Sequence, residues 1–484
     1  MIKNIFNLFG LLVVVAMCVT SCADDSYYRQ GIITFHKTGL YFDESDTEGS
    51  YTQTTTFEVD NVATLAVEEV PDGWDVKLEF YKGVVTVTRP TTVDDDNAVG
   101  EITFTGETPD GYSVSPTLDV GVVEFVNIPT SSQANSMIVS EPNKFYTFSP
   151  TFKGEEEHNA PLVGVADCEL LWRSYPGSIR LVQMLDSGLC GFYLKADEYD
   201  LDEDGSTEDV RTGNALIAAL NDSDEVVWSW HIWITDDEVG EVQFNNEIFM
   251  DRNLGAASGN YTDTLSTYGM YYQWGRKDPF VGPIYFDATS SISAIITDGS
   301  SSVVSVEYEE VTSSVGTVAY AIKNPDTFIM TDGATASQQD WLYSDHNTGL
   351  WSDDEKTIYD PSPKGWRVPK STSFEGVTIS GYPDPVSSYL YSYAANLIDV
   401  DGEEATFMGL GRRNYITGRI MNTNSSYAPW TGYYWTSGCV DGEVRSMALT
   451  FSNEELFYRD GNIDAQYPMQ RANGFQIRCI KHSW

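Results

Sequence analysis

At 484 residues the chain has room for about three domains of ordinary size, each with its own core. It carries 72 acidic against 28 basic residues, a formal net charge of −44. Such a surface repels phosphate backbones and anionic membranes, which argues against nucleic acid and polyanionic lipid as partners. Aromatic residues make up 13%, with 29 Tyr and 12 Trp, too many for a disordered chain and well suited to β-sheet.

The first 21 residues read as a bacterial lipoprotein signal. Lys3 supplies the positive end, and Ile5 to Met17 form an apolar stretch of signal-peptide length, too short to span a bilayer permanently. Val19-Thr20-Ser21-Cys22 matches a lipobox, which makes Cys22 the expected lipidation site and the new N-terminus. Acyl chains anchor by burying methylenes, so the chain is expected to sit on a membrane without crossing it. Ala23-Asp24-Asp25 resembles the surface-export signal of Bacteroidetes lipoproteins, which implies the outer face of the outer membrane. Residues 22–30 serve as a tether.

From Gly31 to Val126 apolar and polar residues alternate in runs of four to eight, separated by Gly, Pro and Asp clusters. This pattern predicts an Ig-like antiparallel β-sandwich, and Pro71-Asp72-Gly73-Trp74 reads as a turn delivering a core Trp into a strand. Residues 127–235 hold seven further short strand candidates, among them CELLWRS, LCGFYLKA and EVVWSWHIWIT, and predict a second sandwich. Cys168 and Cys190 each fall on one of these strands. In WSWHIW we expect one strand face to carry Trp228, Trp230 and Trp233, buried as a hinge core rather than exposed as an apolar ridge. His231 is then a hydrogen-bonded core residue.

Residues 236–484 are organised around Met250 to Phe280, MDRNLGAASGNYTDTLSTYGMYYQWGRKDPF. Downstream lie GWRVP (365–369), GYYWTSG (432–438) and GFQIRCI (474–480). Asn-Leu-Gly, Y-x-W-G, G-W-R-x-P, Y-W-T-S and a closing R-C, in that order, resemble the Fibrobacter succinogenes major paralogous domain, a family of surface lipoproteins. The resemblance implies an α+β C-type-lectin-like fold for this region. It makes Trp274 a core anchor, with Gly275 allowing close backbone approach and Arg276, Lys277 and Asp278 as a polar rim. Tyr271, Tyr272, Trp274, Arg276 and Lys277 are the binding candidates it suggests. Three aromatics within four residues are not expected to be equally buried: on a strand Tyr272 and Trp274 share one face, on a helical turn Tyr271 and Trp274 do.

With Cys18 removed and Cys22 lipidated, four cysteines remain, an even number in an exported protein. Of three connectivities, Cys168–Cys190 and Cys439–Cys479 is the expected one. Many relatives carry a Cys before G-W-R-x-P where this chain has Ser362, so the resemblance leaves Cys439 as the partner of Cys479.

Motifs for catalysis are missing from the sequence: it has five His, no HExxH, no G-x-S-x-G elbow and no Walker A loop. Asp200-Leu201-Asp202-Glu203-Asp204-Gly205 places three carboxylates on one loop, which fits Ca²⁺, although Arg211 stands at the twelfth position and Glu208 or Asp209 would have to substitute. An acidic hairpin loop explains the same residues.

The sequence therefore predicts a mainly β protein: two Ig-like antiparallel β-sandwich modules followed by an α+β C-type-lectin-like domain. Its expected role is that of a surface-exposed, non-catalytic lipoprotein binding a glycan or protein, with calcium as a possible cofactor. A structural subunit of a surface assembly such as a fimbrial tip is the alternative, and a formylglycine-generating-like enzyme comes third.

Overall fold

The computed structural model describes residues 30–482 except 95–96, 159, 176–177, 197–209, 237, 283–295, 298–302, 305, 334–338, 384–393, 422–430, 440–443 and 453–461. It is mainly β, as the alternating pattern predicts. The chain divides into two compact units, Met1–Val126 with Asn143–Phe145, and Asn127–Pro142 with Tyr146–Trp484.

The first unit contains β1 (Ile32–Phe35), β2 (Gly39–Asp43), β3 (Thr52–Asp60), β4 (Thr64–Glu69), β5 (Asp75–Glu79), β6 (Val84–Thr88), β7 (Val99–Glu107), β8 (Ser113–Val114) and β9 (Thr117–Asn127). One sheet runs β1-β3-β6-β5; in the other β9, β7 and β4 are adjacent, with β2 on β9 and β8 on β7. GIITFHKTGLYF thus forms two strands that join different sheets: β1 is antiparallel to β3, β2 parallel to β9. Their inward residues meet in one core of Phe35, Leu40, Phe42, Phe57, Val85, Val87, Ile102, Phe104 and Leu118. Trp74 joins it and donates its indole N–H to the carbonyl of Asn97 (2.9 Å). The turn before it closes with Trp74 N to Pro71 O, and Gly73 takes the positive φ (81°) that a side chain would resist.

The second unit opens with β10 (Ser136–Val139), β11 (Lys144–Phe148, its first two residues counted with the first unit), β12 (Asp167–Arg173), β13 (Ile179–Met184), β14 (Cys190–Leu194), β15 (Gly213–Leu220) and β16 (Val226–Ile234). β10-β16-β15-β12 are neighbours in one sheet and β13-β14-β11 in another. β10 runs parallel to β16, with Ser136 opposite His231. All three tryptophans of β16 are buried, but not on one face. Trp230 packs edge-on against Phe148 at 5.1 Å, whereas Trp233, an odd number of residues away, points to the other side. There it joins Met250, Leu254, Trp274, Trp351 and Trp366, together with Trp172 and Leu216. A strand buried on both faces reads as a continuous apolar run, and alternation cannot assign it one inner side.

Beyond β16 the chain builds short sheets around this core. Glu247–Met250, Ile480–Lys481 and Trp366–Arg367 are adjacent in one; Thr431–Cys439, Arg445–Ser452 and Ile463–Gln470 form another. Among the described residues the only α-helix is α1 (Val318–Lys323), capped by Thr317 Oγ1 accepting from Tyr320 N. After GWRVP the chain makes turns, with Phe374 driven into a second core of Phe244, Phe249, Phe407, Tyr434 and Phe451.

Candidate functional site

The structure places Tyr271, Tyr272, Trp274, Arg276 and Lys277 in the interior, so none of the five offers a ligand a surface. Tyr271, Tyr272 and Trp274 are each 0% exposed, against the expectation of unequal burial. Strand parity holds, but there is core on both sides. Tyr272 and Trp274 enter the large tryptophan-rich cluster, while Tyr271 packs with Phe280 and Phe328 and donates to Leu410 O at 2.6 Å. Trp274 lies 5.6 Å from Trp351 and donates to Thr436 O (2.9 Å). Gly275, at φ 84°, leaves space that a Cβ would lose, since it would come within 2.8 Å of Leu350.

The expected polar rim is a set of buried structural cations. Arg276 donates to Gln273 Oε1 (2.9 Å) and Thr327 O (2.8 Å), and reaches the carbonyls of Asn324 and Pro325 just after α1. Burial lowers its pKa to about 10. Lys277 Nζ donates to Asp278 Oδ1 (2.5 Å), Ser229 O (2.9 Å) and Ser229 Oγ (2.6 Å), and sits over the Trp228 ring. Burial lowers its pKa as well, opposed by the Asp278 carboxylate. Sequence reasoning put these charges outside because Lys and Arg are rarely buried; here carbonyls, the Gln273 and Ser229 side-chain oxygens and one carboxylate receive them, all but Arg276 Nε finding a partner.

A different segment, 339–349, reaches the surface directly above this interior. Trp341 and Leu342 are buried and hold it down, Trp341 donating its indole N–H to Trp274 O at 2.8 Å. Tyr343 is 48% exposed and its backbone N–H donates to Gly316 O (3.0 Å). Asp340 is fully buried: Oδ1 accepts from Leu342 N (3.2 Å), and Oδ2 lies 3.0 Å from His346 Nδ1 and 3.4 Å from Arg471 NH1. His346 retains 27% of its side-chain exposure, and Asp340 fixes its ring through Nδ1, leaving Nε2 as the remaining ring nitrogen.

Arg471 supports the loop from below. It stacks over Trp274 at 4.4 Å, donates Nε to Ser446 Oγ (3.0 Å), and reaches the carbonyls of His346 and Asn347. Its NH2 has no hydrogen-bond partner among the described residues. Arg445 bonds Gln339 Oε1 (3.4 Å) at the loop's start. The arrangement puts an exposed aromatic ring and an oriented imidazole on one loop fixed by buried charge. Asp340, Tyr343, His346 and Arg471 were all missed in the sequence, because the Asp and the Arg lie 131 residues apart. Local spacing carried only the signal of D-W-L-Y-x-x-H.

The four cysteines are thiols in the structure. The expected Cys439–Cys479 bridge is not formed. Cys439, at the end of Thr431–Cys439, directs its sulfur to Thr348 O at 3.7 Å. Cys479 is buried, with its thiol raised well above the usual value by burial and then by Asp360. Ser362 bonds that same Asp360 and donates to Trp366 O at 2.8 Å, so the position before GWRVP is tied by hydrogen bonds. Cys168 and Cys190 are likewise unbonded but adjacent, their side chains hydrogen-bonded to each other. Cys22 and the proposed calcium ligands Asp200, Asp202 and Asp204 lie outside the described residues. Among the described residues no three His, Cys, Asp or Glu side chains converge as a metal site, and no helix is long and apolar enough to cross a membrane.

No protein-family model matches the chain, and no curated protein matches it. Among solved structures, the D00-D0 domain of intimin aligns at a TM-score of 0.15 and 11% identity over 42% of this chain and 96% of that one. The protocadherin GammaB4 extracellular domain aligns at 0.14 and 12% identity, over 44% of this chain and 35% of that one. The Bacteroides ovatus mixed-linkage glucan utilization locus protein SGBP-B, solved with a mixed-linkage heptasaccharide, aligns at 0.11 and 12% identity, over 39% of this chain and 44% of that one. This chain therefore spans under half the length of the latter two. Scores this low carry no argument about function.

Proposed function

We propose that the chain is a lipid-anchored, surface-exposed recognition protein, related to the major paralogous domain family, whose 339–349 loop binds a polar partner such as a glycan or a protein at the cell surface. The observation that supports the reading is the half-exposed Tyr343 on the same loop as His346, whose ring is fixed by the buried Asp340–Arg471 pair. Tyr is the kind of residue that anchors recognition, because it offers a rigid apolar face with a polar tip at small entropic cost. The imidazole adds a directional donor or acceptor. No step of catalysis is assigned to the loop.

A glycan-array screen of the chain from Cys22 onward, followed by titration of any hit, tests the proposal. Tyr343→Ala and His346→Ala are expected to weaken binding about tenfold each, equivalent to roughly 1.4 kcal/mol; Tyr343→Ala should leave the melting temperature unchanged, whereas His346→Ala also takes a hydrogen bond from the buried Asp340 and should lower it modestly. Undiminished binding in both variants would place the site elsewhere. The anchor is tested separately: Cys22→Ala should abolish acyl labelling and release the protein from the membrane fraction.

A further inference from the structure

We propose that Cys168 and Cys190 form a cross-sheet disulfide in the exported protein, a covalent staple between the two sheets of the 127–235 region. Cys168 lies on β12, opposite Ala219 of β15, and Cys190 opens β14, opposite Met184 of β13. The two strands belong to different sheets, and the two side chains meet between them at 3% and 0% exposure. A second contact fixes the same approach: Asp167 Oδ1 accepts from Cys168 N at 2.8 Å and lies 3.4 Å from Met184 N, the residue paired with Cys190. Asp167, the neighbour of Cys168 in the chain, is thus held against Met184, the residue paired with Cys190, independently of the sulfurs.

The chemistry constrains when the bond can form. Exchange proceeds through the thiolate, and burial, with Cys168 alongside, pushes the Cys190 thiol well above its usual value. Folded, the pair is closed to oxidants, so oxidation must precede closure of the sheets. Each thiol gives up one proton and one electron as the S–S bond forms. The two electrons and two protons pass to the disulfide of a thiol–disulfide oxidoreductase, which becomes a dithiol. A compartment holding such an oxidant is what an export signal leads to. The inference rests on the export part of the function proposed above and is independent of any ligand. Two buried cysteines acting only as small apolar side chains are the competing account.

The test uses the full chain expressed with its own leader and recovered from the membrane fraction, so that failed export is recognised before the thiols are examined. The protein is denatured, alkylated with one reagent, reduced, alkylated with a second, and mapped by peptide mass. Cys168 and Cys190 should carry the second label, Cys439 and Cys479 the first. Membrane-recovered protein with the first label on Cys168 and Cys190 would overturn the proposal.

Thermal stability separates the staple from mere packing. A reductant should lower the melting temperature by several degrees in the wild type. It should leave Cys168→Ala, Cys190→Ala and the double variant unmoved, the double melting close to the singles. Equal sensitivity of all four proteins, or none in the wild type, would contradict the bridge.

Discussion

Trp341 donates its indole N–H to the backbone carbonyl of Trp274 at 2.8 Å, joining the surface loop at 339–349 to the aromatic segment inside the molecule. Trp274 is further held by Trp351, by the Arg471 guanidinium over its ring and by a bond to Thr436 O. The same Arg471 pairs with Asp340, so two of the loop's supports converge on one residue, Trp341 at its carbonyl and Arg471 at its ring.

Trp274→Ala is therefore expected to cost about 3–5 kcal/mol, the usual range for truncating a buried large aromatic. Trp274→Phe should cost less, because it keeps part of the ring volume while losing the bond to Thr436. Urea denaturation of the full chain, read through the second unit's transition, measures both. A Trp274→Ala protein as stable as the parent would contradict the burial. Weakened ligand binding by this variant would report loss of loop support, not loss of a contact.

How much of this was legible beforehand depends on which contacts are local. Strand positions in both β segments followed from alternation and turn residues, because period-two patterning is written within a few neighbouring residues. Trp74 as core could be read from its turn. The burial of Lys277 could not, since its partner Ser229 lies 48 residues upstream on β16. A Lys-Asp pair after a glycine looks like a solvated turn until a distant strand covers it. The same holds for Asp340, whose burial depends on Arg471. A single tryptophan face on β16 conflicts with strand parity, since Trp233 lies an odd number of residues from Trp230, and a core on both sides of the strand buries all three.

Lys277→Met distinguishes an interior cation from a surface one. Removing the ammonium leaves the Asp278 carboxylate buried, with Ser229 Oγ still donating to it at 2.7 Å. Breaking such a pair from one side costs about 3–5 kcal/mol, because an uncompensated charge stays out of water. Pairing Lys277→Met with Asp278→Asn should recover part of that loss, and a double-mutant cycle by chemical denaturation gives the coupling. Loss below about 0.5 kcal/mol in the single variant, the range of ordinary surface substitutions, would mean that the side chain is solvated.

Glu155 offers an internal comparison of buried and exposed ion pairs. It contacts Lys356, both side chains almost wholly buried, and Lys364 at 3.2 Å; Lys364 also bonds Glu157 at 2.6 Å near the surface. Lys356 additionally donates to the carbonyls of Ser362 (3.2 Å) and Pro363 (2.9 Å). Glu155→Gln should cost roughly 3–5 kcal/mol, by stranding Lys356. Glu157→Gln should change stability by no more than about 1 kcal/mol, as exposed pairs do. Raised salt should erase the second effect and largely spare the first. Equal costs for the two variants would show that burial does not set their worth.

His231 supplies a pH dependence whose sign follows from its burial. The ring lies between Ser136 Oγ and Asn214 Oδ1, each at 2.8 Å, and burial lowers its pKa to about 3 from the usual 6.5. In the unfolded chain the imidazole takes a proton near pH 6.5; in the folded protein it stays neutral until about pH 3. Between those limits the unfolded state binds about one more proton, so this residue makes stability fall as pH drops through the window and leaves it unaffected above it. The slope approaches about 1.4 kcal/mol per pH unit in mid-window. His231→Gln keeps polar atoms at the site and removes the titration. It should lower stability at pH 7.5 by loss of the fitted bonds, yet show a shallower decline between pH 6 and 4 than the wild type. Unfolding free energies of both proteins across that range decide the matter. Parallel curves would mean that His231 is already charged in the fold, or protonates there as readily as in the unfolded chain.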